Sequence, residues 1–445
     1  MATDRSSKPP LPSQVISGRR VLLSIGAHTA VLSVASWLSI VLAFLVVAAP
    51  SAWAADDAAE KDPHWRVGVA AAKITPKRRL HMAGYAGRKE PAEGTQQDLF
   101  GKVIAIEDRE GNRVVFVTLD LIGVLEQLRT EVARQVQEKY KLPPHALLIN
   151  ASHTHCGPAY GREDAKDYFD SLVTTLVDLV GQSLEELQPA NLSYSFARCS
   201  VAMNRRTPSD EGFRNHPNPS GLVDHTVPVL SVRNPDDDAL RAVVFGYACH
   251  NTTMGFLQWL GDYAGYAQEY FEKEHPGATA LFMMGCGGDQ NPYPRSELKY
   301  AQMHGRSLAT AVEAALEVNQ GTLRHQRLIQ GPLSSVLETV DLEFAAPDRA
   351  DFAYPVQVIR LGDDLMLVAL GNEVVVDYAL RLKRELTKSE GPAIWVAGYS
   401  NVYSGYIPSR RVLLEGGYEA RSRPWKPTLE ERIVGKVHEL VQQLP

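Results

Sequence analysis

Hydrophobic and polar positions change rhythm along the chain, and from Trp65 onward the blocks read as interleaved strands and helices. "WRVGVAAAKITP" predicts a strand that turns at Pro76, and "KVIAIEDREGNRVVFVTLDL" predicts a hairpin of two β-rich runs around "EGN". "EQLRTEVARQVQEKYKL" has helical spacing, with Leu128, Val132 and Val136 on one face. "HALLIN" predicts a short buried strand, and "AKDYFDSLVTTLVDLVGQSLEEL" a long amphipathic helix. Further strands are expected in "NLSYSFARCSVAMN", "VPVLSVRN", "ALRAVVFGYACHN", "ATALFMMG", "GPLSSVLETVDLEF", "YPVQVIRLGDDLMLVALGNE" and "AIWVAGYSN". Further helices are expected in "GYAQEYFEKEHPG", "YAQMHGRSLATAVEAALEV", "VVDYALRLKREL" and "LEERIVGKVHELVQQL". Interleaving with hairpins predicts an α/β fold, a mixed central β-sheet flanked by helices. The polar, Pro/Gly-rich stretch 205–221 is expected as a long loop within the domain.

Before Trp65 the pattern differs. Residues 1–20 are polar and end in Arg19 and Arg20, and residues 21–50 are almost uncharged, long enough to span a bilayer. Ala52 and Ala54 fit a small-residue cleavage site, so residues 1–54 are expected to be an export signal. An uncleaved anchor, holding the protein to a membrane through residues 21–49, is the alternative. Residues 55–64 then form a short leader and residues 65–445 a single domain, working in the periplasm or as a secreted protein.

Over the whole 445-residue chain the formal charge is −6, which gives no basic footprint for nucleic acid, and no such partner is expected. Cys156, Cys199, Cys249 and Cys286 contain no CxxC pair, which disfavours a structural zinc knuckle. They are expected to pack as small buried hydrophobes, with disulfides as the alternative.

Several apolar strands end in residues able to bind a metal. His153 and His155 follow "HALLIN", His250 ends "AVVFGYACH", and Glu373 ends "LMLVALGNE". Tyr403 and Tyr406 follow "IWVAGYSN", and Asp289 and Asn291 follow "ALFMMG". In α/β sheets ligands bind beyond the carboxyl ends of strands. On extended backbone, positions i and i+2 face the same way, so His153 and His155 are expected to look into one cleft. Two imidazoles with a carboxylate make a catalytic zinc shell. Hydrogen-bonded histidines at strand ends, with no metal role, are the other reading of the same pattern. The glycines of "GCGGDQNP" suggest a tight turn whose free N–H groups receive an anion or let substrate approach, or else a flexible strand exit. No GK[ST] follows it, and no GxSxG elbow occurs anywhere in the chain.

These segments, in this order, resemble the N-terminal catalytic domain of the neutral/alkaline, non-lysosomal ceramidases. "HMAGYAG" is similar to that family's "MGYA" turn, "ASHTHCGP" to "THTHSGP", "MNRRTP" to "NRSP", and "GCGGDQNP" to "NLGDVSPN". "LGNEVVVDYALRLKREL" resembles "PGEFTTMAGRRLR", and "GYSNVYSGYIPSRRVLLEGGYEA" resembles "GLSNTYTSYVTTPEEYQVQRYEGA". The family consists of zinc amidases that split the N-acyl bond of ceramide. The resemblance implies a ceramidase-type catalytic domain with Zn2+ on His153, His250, Glu373 and Tyr406. It implies that His155 contacts the substrate, and that Arg205 and Tyr418 help hold the reacting carbonyl. The family's nucleophilic serine matches Asn291, which leaves hydrolysis by a metal-activated water, with Asn291 as an added donor. The substrate implied is an N-acyl lipid or small molecule. The family's C-terminal Ig-like domain has no counterpart within residues 65–445. A metal-binding or scaffold homologue with altered chemistry, or a zinc hydrolase of non-lipid amides or esters, are the alternatives. Phe256, Leu257, Trp259 and Leu260 offer either an apolar slot for acyl chains or ordinary core.

Overall fold

Strand β1 (Trp65–Lys73) begins where the apolar alternation begins. It lies antiparallel to β2 (Phe100–Asp108), which turns into β3 (Arg113–Leu119) as the expected hairpin. The turn is closed by Asp108, whose carboxylate accepts the backbone N–H groups of Glu110 and Asn112. The computed structural model describes residues 64–317, 327–346 and 348–444. The export segment 1–54, the alternative anchor 21–49 and residues 55–63 of the leader lie outside them. The described residues belong to one compact unit, and no helix among them is long and apolar enough to cross a membrane.

The remaining strands longer than two residues are β4 (Leu147–Ala151), β5 (Gln188–Arg198), β6 (Ala202–Ser209), β7 (Gly212–Asn218), β8 (Thr226–Arg233), β9 (Leu240–Tyr247), β10 (Thr279–Met284), β11 (Gln290–Pro292), β12 (Leu333–Leu342), β13 (Phe352–Leu361), β14 (Leu365–Leu370) and β15 (Ala393–Ala397). A nine-stranded sheet runs β10-β9-β8-β5-β1-β2-β3-β4, with Arg327–Leu328 also paired to β5. Its β3–β4 and β9–β10 pairs are parallel and the others antiparallel. A four-stranded sheet runs β12-β13-β14-β15. The fold is thus mixed α/β with helices on the outer faces, as the pattern predicts, and most strands divide between two main sheets, with β6, β7 and β11 in a smaller third one.

One core lies between the sheets, where Ile104, Phe116, Leu230 and Leu281 meet Leu361, Leu367 and Trp395. Helices α1 (Glu126–Tyr140) and α2 (Lys166–Glu185) cover part of the outer face of the large sheet, burying Leu128, Val132 and Val136 as their spacing requires. Helices α3 (Asp262–Glu274) and α4 (Leu298–Glu317) cover the β9–β10 end. Helix α5 (Val376–Leu386) and the last helix, α8 (Leu429–Gln443), cover the small sheet. Between them lie the short α6 (Arg410–Glu415) and α7 (Tyr418–Arg421). Trp259 and Leu260 are core, with Phe256 and Leu257 packed against it.

The expected loop at 205–221 is instead a hairpin. Strands β6 and β7 pair through Pro208–Phe213 and Ser209–Gly212, and the other edge of β6 pairs with β11. Gly212 takes the positive φ that the turn needs. Polar composition misleads here because Arg205 and Arg206 are buried against acids rather than left in water. All four cysteines are buried and free, so they pack as wall residues and form no disulfide.

The strands at the two ends of the large sheet, β4 and β10, are drawn together by one side chain. Asn150 Oδ1 accepts the N–H of Met284 at 2.7 Å, and Nδ2 donates to Gly398 O at 2.7 Å. The chain leaving β15 enters this gap. Gly285 bridges to Ala397 and Asn150 to Ser400, and the Asn401 N–H donates to Ile149 O at 2.8 Å.

Candidate metal centre

The polar strand-end residues converge where β4, β9 and β14 finish. His153 lies just beyond β4, with its N–H held by Leu121 O at 2.9 Å. Its φ is 63°, so the backbone there is left-handed rather than extended. The alternation argument for His153 and His155 therefore does not apply, although its outcome holds. The two Nε2 atoms are 3.0 Å apart because the chain turns at His153 and is re-anchored by the His155 N–H on Asn251 O. His250, beyond β9, donates its N–H to Gln290 O, and Glu373, beyond β14, donates its N–H to Gly405 O.

The chemistry of the cluster follows from its hydrogen bonds. His153 Nδ1 lies 2.6 Å from Ile122 O, and His250 Nδ1 lies 2.7 Å from Gly287 O. A carbonyl can only accept, so both Nδ1 atoms carry the proton, and in the neutral rings both Nε2 lone pairs point inward. Glu373 Oε2 lies 3.3 Å from His153 Nε2 and 3.2 Å from His250 Nε2. Burial, followed by the Arg205 charge, pushes the His250 pKa down to about 3, so this ring is neutral. Burial works against ionisation of Glu373, and only positive charge at the positions of His153 and His250 holds its carboxyl well below the usual range. Its Oε1 accepts from the Tyr403 hydroxyl at 3.2 Å, while the buried Oε2 has no hydrogen-bond partner. Lone pairs of nitrogen and oxygen that face one another this closely repel unless positive charge lies among them. Nitrogens of His153, His155 and His250 fall within 4.8 Å of one another, a group able to hold a metal ion. The donor set thus fits a divalent cation that favours imidazole and carboxylate. Burial also keeps His155 neutral, pushing its pKa well below the usual value.

Arg205 forms one wall and is itself enclosed. Its Nε donates to Glu419 Oε1 at 2.9 Å, its Nη1 to Asn291 Oδ1 at 3.2 Å, and its Nη2 to the Tyr406 hydroxyl at 2.9 Å. Nη1 also lies 3.2 Å from His250 Nε2. The Tyr406 hydroxyl is 3.4 Å from the same nitrogen, so it reaches the cluster. Asn291 is buried, with its Oδ1 turned to Arg205 and to Thr252 Oγ1. Tyr418 is 55% exposed and packs edge-on against Tyr406, which puts it at the rim.

The glycine turn does not offer free N–H groups. Gly287 donates to Gly285 O, Gly288 to Val374 O, and Gln290 to Gly287 O. Its glycines serve close approach instead: a Cβ on Gly288 would sit 2.7 Å from Glu373 O and 2.8 Å from Val374 O. The turn is buried.

Two neighbours escaped the sequence reading. Glu419 is buried against Arg205 and Arg206, and the adjacent arginine pair was the signal that a buried acid was needed. Tyr399 packs its ring 4.6 Å from that of His153, and a leucine stands at the matching place in the "GLSN" segment it resembles.

Imidazoles and a carboxylate gathered at strand ends define an α/β protein with a centre suited to a metal ion. Residues 65–283 match the family model described as neutral/alkaline non-lysosomal ceramidase, N-terminal. Through that segment, which holds His153, His155, Arg205 and His250, the chain belongs to this family. Neutral ceramidase A of Dictyostelium discoideum is 25% identical over 241 residues, which cover 49% of this chain and 33% of that protein. The Drosophila melanogaster neutral ceramidase is 34% identical over 97 residues, 21% of this chain and 14% of the relative. The chain spans about a third of the length of the first two curated relatives it matches. The crystal structure of the Pseudomonas aeruginosa neutral ceramidase aligns with a TM-score of 0.74 at 19% identity, covering 86% of this chain and 75% of that one. A ceramidase complexed with C2 aligns with the same TM-score at 18% identity, covering 86% of this chain and 76% of that one. These structural likenesses establish the fold beyond the matched segment, where Glu373, Tyr406 and Tyr418 lie.

Proposed function

We propose that this protein is an exported, zinc-dependent amidohydrolase that cleaves the N-acyl bond of ceramide or a related N-acyl lipid. The observation that carries the reading is the unpartnered Glu373 Oε2, facing the inward lone pairs of His153 and His250. The family match and the relatives' names support the amide substrate.

His153, His250, Glu373 and Tyr406 would hold the ion. Bound there, zinc supplies Lewis acidity toward a carbonyl and lowers the pKa of water. The carbonyls of Ile122 and Gly287 fix the two imidazole planes and tautomers. Tyr403 restrains one oxygen of Glu373 and leaves the other free. Arg205 supplies fixed positive charge beside the centre, and Tyr406 is held in place by it. His155 stands on the more open side of the cluster, and Tyr418, exposed at the rim, would meet an arriving acyl carbonyl. The amide of Asn291 offers no nucleophile, so no acyl-enzyme forms and product release shows no burst.

Zinc per chain, measured after native purification, is expected near one and to fall in His153→Ala, together with turnover of an N-acyl substrate panel. Turnover that survives His153→Ala removes this reading. Asn291 at the serine position motivates a second one, a metal-binding homologue with altered chemistry. Zinc retained with no turnover across lipid and non-lipid amides would establish it. Export and signal cleavage are tested by fractionation and N-terminal sequencing, with cleavage expected after Ala54.

A further inference from the structure

Tyr399 sits in the segment that enters the gap between β4 and β10. Its N–H donates to Asn372 O at 3.0 Å, its carbonyl accepts from Ala151 at 3.3 Å, and its φ is 51°. The side chain packs against the centre. The ring lies 4.6 Å from the His153 ring and 6.2 Å from that of His250. The residue is wholly buried, and its hydroxyl has no hydrogen-bond partner.

A buried phenol without an acceptor is costly, and tyrosine hydroxyls inside proteins ordinarily find one. Packing alone does not call for the oxygen, because a phenylalanine ring fills the same space. The rings it packs against, His153 and His250, both belong to the centre. A phenol buried this deeply keeps its proton and remains a donor. The donor is in place and the protein provides no acceptor. The acceptor must come with whatever occupies the site.

We propose that the Tyr399 hydroxyl donates a hydrogen bond to an oxygen of the carboxyl or carbonyl group bound at this centre, a recognition contact that a leucine cannot make. This rests on the metal-hydrolase reading, in which the acyl half leaves as a carboxylate. Phenylalanine keeps the ring and removes only the oxygen.

The test uses zinc-loaded protein, with acetate as the short carboxylate probe, followed by calorimetry or by competition. In Tyr399→Phe, acetate affinity is expected to fall roughly tenfold or more, the scale of a hydrogen bond to a charged acceptor. Zinc content should be unchanged. The metal-free variant should unfold at a temperature no lower than the metal-free parent, because it loses an unpaired group. Equal acetate affinity with zinc intact overturns the assignment and leaves the metal reading standing. A metal-free variant that is clearly less stable also overturns it, since the hydroxyl then already has a partner in the protein. Parent protein that holds no zinc removes the metal reading and this inference together. Should the variant fail to fold, 3-fluorotyrosine at position 399 of the parent decides. Its fluorine resonance is expected to shift on adding acetate, and an unmoved resonance under saturating acetate overturns the contact.

Discussion

Replacing Glu419 by glutamine removes one negative charge from a place that water does not reach. Glu419 is 1% exposed; its Oε1 lies 2.9 Å from Arg205 Nε and its Oε2 2.5 Å from Arg206 Nη1. Burial opposes its ionisation, but Arg205 and then Arg206 hold its pKa below the usual value. Glutamine keeps the shape, so no cavity forms and the change isolates the charge. Arg206 would retain Glu415 at 3.0 Å and the Gly416 carbonyl at 2.8 Å. Arg205 would be left with neutral hydrogen-bond acceptors, the glutamine oxygen itself, Asn291, Tyr406 and His250. One buried guanidinium without its carboxylate corresponds to a loss of about 3–5 kcal/mol. Urea unfolding should show this as a lower midpoint at unchanged m. Replacing Arg205 and Glu419 together by methionine should cost less than Glu419→Gln alone, because no uncompensated charge remains. A Glu419→Gln protein within about 1 kcal/mol of the parent would refute this reasoning and would mean that Glu373 already balances Arg205.

Three further outcomes follow from the same geometry. Gly288→Ala drives a methyl group into the backbone oxygens of Glu373 and Val374, and should destabilise the fold by about 1–3 kcal/mol and lower zinc retention. Ellman's reagent should titrate four thiols per chain after unfolding in non-reducing denaturant and almost none in the native protein, since all four cysteines are free and buried. Asp289 is fully buried, and burial, then Asp377, pushes its pKa from 3.8 up to about 7. The folded state thus binds this proton more tightly than the unfolded chain does, so the contribution is most favourable near pH 4 and declines as pH rises toward 7. The decline amounts to about 4 kcal/mol, and stability measured against pH should lose this slope in Asp289→Asn.

Legibility in the sequence followed the local signals. The β2–β3 hairpin was readable from its turn residues, and α1 from Leu128, Val132 and Val136, because short-range patterns decide them. The division into two sheets was not readable, since runs such as "LLINA" and "LMLVAL" look alike whichever sheet they join. His153, His250 and Glu373 stood out because polar residues at the ends of apolar strands are uncommon. Alternation placed His155 correctly for a reason that fails at His153, where φ becomes positive. Glu419 and Tyr399 stayed hidden because each gains its meaning from a residue more than 200 positions away. The 205–221 hairpin was masked by polarity that is satisfied inside the protein.

Asn150 has a consequence for the order in which the protein is built. It joins Met284 and Gly398, partners 134 and 248 residues further along the chain. Contacts of that separation close late, because a long loop must be ordered before any reward is gained. On a chain emerging from the ribosome, His153 and His250 are both made well before the 398–401 segment that locks their strands together. The centre is therefore among the last parts of the molecule to take shape. Until then two histidines and a free cysteine, Cys156, stand unprotected on an unfinished chain. A cell that makes this protein has reason to keep it away from stray metal and oxidant until residue 401 is in place.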